Sequence, residues 1–82
     1  MLVERVKSES IRAIGYEPRS ERLWVEFHSR AGGYIYFGVA HDVFDELMEA
    51  DSIGRYVNYH VVPFYRCEYR PRAPRSTRAH SS

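Results

Sequence analysis

The polar residues best suited to binding a ligand lie in residues 52–58, Ser-Ile-Gly-Arg-Tyr-Val-Asn. A serine at a helix start, together with free backbone N–H groups, is an arrangement that holds anions. The glycine permits close backbone approach, and the arginine and asparagine are three residues apart, on one helical face. This spacing predicts a phosphate site formed by Ser52, Gly54, Arg55, Tyr56 and Asn58. The alternative is a capped helix whose glycine packs against a sheet and whose asparagine bonds backbone; the sequence leaves both open.

Aromatic side chains form a second candidate binding surface. Tyr34 and Tyr36 flank Ile35 in an aromatic and β-branched run, and Trp24 lies in the preceding apolar run. If the tyrosines share a sheet face with Trp24, three rings would offer a platform on which unpaired bases stack. A tyrosine pair in a strand is more often part of the core. Because Ile35 is apolar, the alternation of residue types does not decide between these orientations.

Basic residues are concentrated at the C-terminal end. Residues 1–65 contain seven Lys or Arg and ten Asp or Glu, whereas residues 66–82 contain five Arg and one Glu. Two prolines and the absence of apolar side chains predict a flexible arm over residues 70–82. Arginines on such an arm neutralise phosphates whatever the nucleotide sequence. The candidate phosphate-binding residues are Arg70, Arg72, Arg75 and Arg78. A solubilising extension is an equally good interpretation.

Other chemistry finds little support in the sequence. The four histidines are not spaced like zinc ligands, and the single cysteine, Cys67, cannot complete a zinc site or an internal disulfide. The carboxylates of residues 42–49 lie at helical spacing and are typical of a solvated acidic face. We therefore expect no catalytic residue, no metal and no cofactor. The lone cysteine and the charged N-terminal residues favour a cytoplasmic protein without a membrane segment.

A length of 82 residues allows one small domain, and residue alternation predicts three of its strands. They cover residues 10–16, 23–28 and 34–37, separated by turns rich in Gly, Pro and Ser. In the first strand Ile11 and Ala13 would share one face, opposite Ile14 and Tyr16. In the second, Leu23, Val25 and Phe27 would face the core, opposite Trp24, Glu26 and His28.

Two helices are expected to follow the strands. Acidic residues in a first turn and an apolar stripe predict an amphipathic helix over residues 41–50. Ser52 would cap a shorter second helix that Pro63 stops near His60. Residues 64–69 would be extended, either across the sheet or along its edge. The expected core consists of Leu23, Val25, Phe27, Phe44, Leu47 and Met48.

The order of these motifs resembles the KTSC domain. The chain contains, in order, Ile-x-x-Ile-Gly-Tyr (11–16), Leu-x-Val-x-Phe (23–27), Tyr-x-Tyr-x-Gly-Val (34–39), Val-Phe-x-x-Leu, and Ser-x-Gly-Arg-Tyr-x-Asn. That family is known as a C-terminal appendage of some lysyl-tRNA synthetases and as small stand-alone bacterial and phage proteins. The resemblance implies a compact α+β binding domain over residues 1–69 that contacts RNA and has no enzymatic activity. The family pattern also implies inward-facing tyrosines, with hydroxyls near Asn58 or Ser52.

The expected fold is therefore α+β: a three-stranded antiparallel β-meander packed against one amphipathic helix and a short second helix, followed by a basic flexible tail at residues 70–82. The expected function is a non-catalytic nucleic-acid-binding module for RNA or single strands. The chain departs from the family pattern at Ala40 and Val57, and Val57 removes an aromatic ring from the site. Two alternatives remain: an oligomeric binder of a nucleotide or another phosphorylated small molecule, and a protein-interaction or assembly module.

Overall fold

The computed structural model describes residues 1–74, which form one antiparallel sheet with helices on one face. The strands are β1 (Leu2–Arg5), β2 (Ile11–Glu17), β3 (Arg22–Phe27), β4 (Gly33–Phe37) and β5 (Cys67–Arg70), and neighbours in sequence are neighbours in the sheet. The helices are α1 (His41–Glu49) and α2 (Ile53–Tyr56), and α2 continues into a wider π-helical turn (Val57–Val61). The predicted α+β class with an antiparallel sheet is confirmed. The prediction of three strands is wrong, because the sheet has five.

The two strands absent from the predicted three-stranded sheet, β1 and β5, are its edges. β1 and β5 have four residues each, and β5 is exposed along its whole length. Edge strands contribute backbone hydrogen bonds to one neighbour and bury little side-chain surface, so they carry no apolar alternation. The sequence left two positions open for residues 64–69, across the sheet or along its edge. In the structure β5 lies along the edge and pairs with β4. Arg70 is the last residue of this strand, so the predicted flexible arm does not begin there.

A β-bulge in β2 decides which of its residues face the helices. The pairing of β2 with β3 shifts by one residue between Ile11 and Ala13. As a result Ile11, Ile14 and Tyr16 all belong to the core between sheet and helices, while Ala13 lies on the other face. The predicted grouping of Ile11 with Ala13 is wrong, because strict alternation does not anticipate the extra residue.

The main core lies between the sheet and the helices. Its buried members are Ile11, Ile14, Tyr16, Leu23, Val25, Tyr36, Val39, Leu47, Val57 and Val61. Three of the six predicted core residues, Leu23, Val25 and Leu47, are among them. The other three, Phe27, Phe44 and Met48, are partly buried and pack against this cluster. The π-helical turn contributes two valines, so the second helical segment is part of the core as well as of the surface.

Trp24 is fully buried on the sheet face opposite the helices. Its ring lies over Gly33, where an added Cβ would be 2.6 Å from the ring carbon Cζ2, and Gly15 is its partner on β2. The indole Nε1 donates to the carboxylate of Glu26 (2.7 Å), which also accepts from Arg12 (3.0 Å). Gly33 makes room for the ring and the ion pair covers it, so Trp24 offers no surface for a ligand.

Substitution of two glycines with positive φ tests whether β5 packs against Gly32. Gly32 (φ 71°) and Gly38 (φ 77°) have similar backbone conformations, but a Cβ on Gly32 would be 2.4 Å from the Arg70 carbonyl oxygen, whereas one on Gly38 would meet nothing within 4 Å. Gly38→Ala should lower the free energy of unfolding by about 1 kcal/mol from backbone strain alone. Gly32→Ala should cost roughly 1–3 kcal/mol more, because β5 must move. Urea unfolding measures both, and equal losses would contradict the position of β5.

Candidate functional site

The second helical segment is held in place by a serine cap and a close backbone contact. The Ser52 hydroxyl accepts a hydrogen bond from the Arg55 backbone N–H (3.2 Å), as predicted for a cap. Gly54 is buried against the loop between β1 and β2, and an added Cβ there would lie 2.2 Å from Ser10 Oγ. The glycine of the motif therefore permits close packing, although its neighbour is this loop and not the face of the sheet.

The loop that receives Gly54 is itself fixed. Ser8 Oγ accepts hydrogen bonds from the backbone N–H groups of Ser10 (3.3 Å) and Ile11 (3.2 Å), which closes a tight turn. The backbone N–H of His28 donates to the Ser10 carbonyl (3.0 Å), and the ring Nε2 of His28 lies 3.1 Å from the Ser8 carbonyl. Because these contacts tie the loop to β3, it forms a rigid wall opposite the second helical segment.

A cleft of about 440 Å³ lies between this wall and the second helical segment. Its lining consists of Lys7, Ser8, Glu9, Ser10, Ala50, Asp51, Ser52, Ile53, Gly54, Arg55 and Asn58. The structure thus brings four of the five residues predicted for a phosphate site, Ser52, Gly54, Arg55 and Asn58, to one cleft. Sequence reasoning did not identify the opposite wall, since nothing in the local pattern links residues 7–10 to residues 52–58.

Several groups in the cleft have donor capacity that the fold does not use. Within residues 1–74, no carboxylate lies within ion-pairing distance of Lys7 or Arg55, and the Asn58 amide makes no hydrogen bond. The hydroxyl oxygens of Ser8 and Ser52 accept bonds from backbone, which leaves each hydroxyl proton available for donation. Glu9 and Asp51 balance the formal charge of the two cations. Anion binding here would therefore depend on direct hydrogen bonds and not on a net positive field.

A second, shallower pocket of about 350 Å³ lies on the other side of Arg55. It is lined by Ala50, Asp51, Ser52, Arg55, Tyr56, Tyr59 and His60, and the first four of these also line the polar cleft. The Tyr56 hydroxyl donates to the Glu46 carboxylate (2.9 Å), and burial followed by this bond raises the pKa of Tyr56 to about 12. Tyr56, the fifth predicted site residue, thus lines the aromatic pocket and not the polar cleft.

The three aromatic residues proposed as a stacking platform do not share a face. Tyr34 pairs with Val25 and Tyr36 with Leu23, which places both tyrosines on the helix face, opposite Trp24. Tyr36 is only 3% exposed, and the half-buried Tyr34 accepts a hydrogen bond from Arg30. The tyrosines face inward, as the family pattern implied. Their hydroxyls do not bond Asn58 or Ser52, so that part of the expectation is wrong. The register places these tyrosines over β3 and beside β5, away from the second helical segment.

The C-terminal arginines differ in their surroundings. Arg70 lies in β5 and pairs with Glu68 (2.7 Å), so part of its charge is compensated. Arg72 follows the strand and is exposed. Arg75 and Arg78, and with them most of the predicted flexible tail, lie outside the described residues. Neither Arg70 nor Arg72 lines the cleft.

Other candidate sites are sparse in the described part of the chain. Residues 1–74 contain no group of three His, Cys, Asp or Glu side chains placed to hold a metal ion. Cys67 is exposed at the start of β5, beside the Tyr36 hydroxyl. In the same residues, no helix has the length and apolar character needed to cross a membrane.

Comparison with known proteins gives consistent matches. The sequence profile of the KTSC domain matches residues 7–65. A protein from Tsukamurella paurometabola is 41% identical over 64 residues, covering 78% of this chain and 94% of the relative. An uncharacterized protein from Stutzerimonas stutzeri is 45% identical over 53 residues, covering 65% and 73%. The crystal structure of a KTSC domain protein from Yersinia pestis superimposes with a TM-score of 0.80 at 29% identity, covering 84% of this chain and 96% of that one.

The buried hydroxyl of Tyr36 predicts a loss of stability at alkaline pH. Burial first, and then the neighbouring Cys67, raise the pKa of Tyr36 from 10.0 to about 12. A group whose pKa is raised by folding contributes its full stabilisation below the unfolded pKa and loses it as pH rises through the folded pKa. Stability should therefore fall between about pH 10 and pH 12.

The variant Tyr36→Phe should unfold with a shallower pH dependence over that window, although Tyr56 still contributes. Tyr59→Phe, which removes the hydroxyl of a side chain that is 65% exposed, is the control and should keep the wild-type slope. Chemical denaturation at several alkaline pH values measures this. If stability depends on pH equally in the wild type and in Tyr36→Phe, ionisation of the Tyr36 hydroxyl does not cause the loss of stability at alkaline pH.

Proposed function

The chain belongs to the KTSC domain family, and we propose that it is a non-catalytic nucleic-acid-binding module whose ligand is RNA or another single strand. The observation that carries this proposal is the position of Arg55. Its guanidinium has no carboxylate partner within residues 1–74, and it borders a polar cleft on one side and an aromatic pocket on the other. Single strands present alternating anionic phosphates and flat bases, which are the two kinds of group that such a pair of pockets complements.

The cleft suits a phosphodiester because its donors converge from both walls. Arg55 and Asn58 extend from the second helical segment, and Lys7 extends from the opposite loop. A guanidinium can bind two phosphate oxygens at once, whereas an ammonium acts as a point charge. The cleft is also partly open to solvent, which a polymer needs in order to enter and leave it. An enclosed cavity would instead favour a discrete small molecule.

The arginines after β5 would add affinity without selectivity. Arg72 is exposed, and Arg75 and Arg78 follow it in the sequence. Contacts of this kind neutralise phosphates and release counterions, so they strengthen binding to any strand by a similar factor. Under this proposal the cleft positions the strand and the C-terminal arginines raise its local concentration.

A second candidate function, protein interaction or assembly, is favoured by apolar residues after the π-helical turn. Phe64 is 72% exposed and Val62 is 45% exposed, and neither belongs to the residues lining the polar cleft. Contiguous exposed apolar surface is typical of protein interfaces. The other alternative, an oligomer that sequesters a nucleotide, would bind that nucleotide in the same cleft that is proposed for RNA. The native mass of freshly purified protein, with its absorbance at nucleic-acid and protein wavelengths, distinguishes these functions.

Arg55→Ala tests the proposed cleft directly. Loss of a charge-assisted hydrogen bond of about 1.5–3 kcal/mol should weaken binding to a fluorescent single-stranded RNA roughly tenfold or more and reduce the salt slope by about one contact. Arg19→Ala is the matched control, because this variant removes the same charge from an exposed residue in the turn between β2 and β3. Equal weakening by both variants would mean that binding depends on net charge alone. Failure of the wild type to bind RNA at low salt would overturn the proposal.

Removal of residues 75–82 tests the role of the C-terminal arginines. This truncation leaves β5 complete, so the fold should be retained, as circular dichroism can check. Affinity should fall for every single strand by a similar factor, and the dependence of affinity on salt should become less steep. An unchanged salt slope would show that these arginines do not contact phosphates.

A further inference from the structure

We propose that Tyr59, with His60 beside it, forms a base-stacking subsite next to Arg55, so that one nucleotide unit binds with its phosphate in the cleft and its base against the Tyr59 ring. This inference rests on the proposed function and adds the position of the base. No part of the sequence pattern identified Tyr59 as a ligand residue. The signal available was its position four residues after Arg55, which places it near Arg55 on a helical surface.

Tyr59 is exposed in a way that the fold does not explain. It is 65% exposed, and within residues 1–74 its ring contacts no other aromatic ring and its hydroxyl makes no hydrogen bond. The other tyrosines of the helical layer differ. Tyr56 bonds Glu46, and Tyr65 packs against the core. A large ring that is mostly exposed and has no hydrogen-bond or aromatic partner in the described residues is available for a ligand.

The pocket around Tyr59 is preorganised for a planar group. The rings of Tyr56 and His60 pack together with centroids 4.7 Å apart, and the bond to Glu46 ties Tyr56 to α1. Tyr56 therefore acts as a positioning residue that supports His60, while Tyr59 stays free. The segment is also π-helical, a local geometry that is frequent at functional sites and that widens the turn carrying Asn58, Tyr59 and His60.

The charges around the ring favour a base over an apolar peptide. Arg55 lines the same pocket as Tyr59 and is shared with the polar cleft, so a cationic group lies between the phosphate position and the ring. Nucleobases bind such surfaces by stacking and by contacts with a neighbouring guanidinium. A protein partner would be expected to use the apolar residues further along, Val62 and Phe64, at least as much as Tyr59.

The test compares two strands and two exposed aromatic residues. The probes are a fluorescent oligouridine and an abasic strand of the same length, which keeps the phosphates and lacks the bases. Tyr59→Ala should weaken oligouridine binding by about fivefold or more, since stacking contributes roughly that factor per base, and should leave abasic-strand binding unchanged. Tyr59→Phe should retain both affinities. Phe64→Ala, which removes an aromatic ring that is 72% exposed, is the control and should change neither.

The outcomes separate this inference from the proposed function. If Arg55→Ala weakens binding to both strands while Tyr59→Ala changes neither, the cleft binds phosphate and the stacking subsite is wrong. Equal losses with Tyr59→Ala and Phe64→Ala would also overturn it, because they would indicate a general apolar surface such as a protein interface. If the wild type binds neither strand, the proposed function fails and the subsite fails with it.

Discussion

The close contact between Gly54 and Ser10 is the constraint on which the site depends. The backbone of the second helical segment lies against the loop between β1 and β2 with no room for a Cβ. The loop and the second helical segment form the two walls of the polar cleft, which lies between them. Val57 and Val61 hold the same segment against the sheet, so its polar side chains are directed outward by burial of its apolar ones. A single glycine thus sets the distance between two regions that are far apart in the sequence.

Sequence reasoning succeeded where side-chain burial follows a regular period. The strands β2 to β4, the helix α1 and the Ser52 cap were predictable because each has a periodic apolar pattern or a specific capping residue. It failed where structure depends on backbone pairing or on an irregularity. No apolar pattern marked β1, the sequence left the position of β5 open, and the bulge at Ile11 and Ala13 changes which residues of β2 face the core. For the site, one wall was predictable from a local motif, and the other required the tertiary fold.

The position of Trp24 explains why the open sheet face is not the candidate site. Sheets that bind single strands commonly present exposed aromatic rings on their free face. Here the largest ring on that face is fully buried, because Gly33 on β4 leaves room for it and an Arg12–Glu26 pair covers it. On the helical layer, by contrast, the Tyr59 ring is 65% exposed beside Arg55. Gly33 thus removes Trp24 from the candidate surfaces, and Gly54 brings the two walls of the cleft together.

The short outer strands also bear on how the protein behaves at high concentration. A sheet that does not close into a barrel leaves unpaired backbone groups along two edges, which other copies of the chain can extend into fibrils. Both edges are only four residues long, and each carries charges of both signs, Glu4 with Arg5 and Glu68 with Arg70. Such edges give an incoming strand few partners and require it to match an alternating charge pattern. These features disfavour edge-to-edge pairing of the open sheet with other copies.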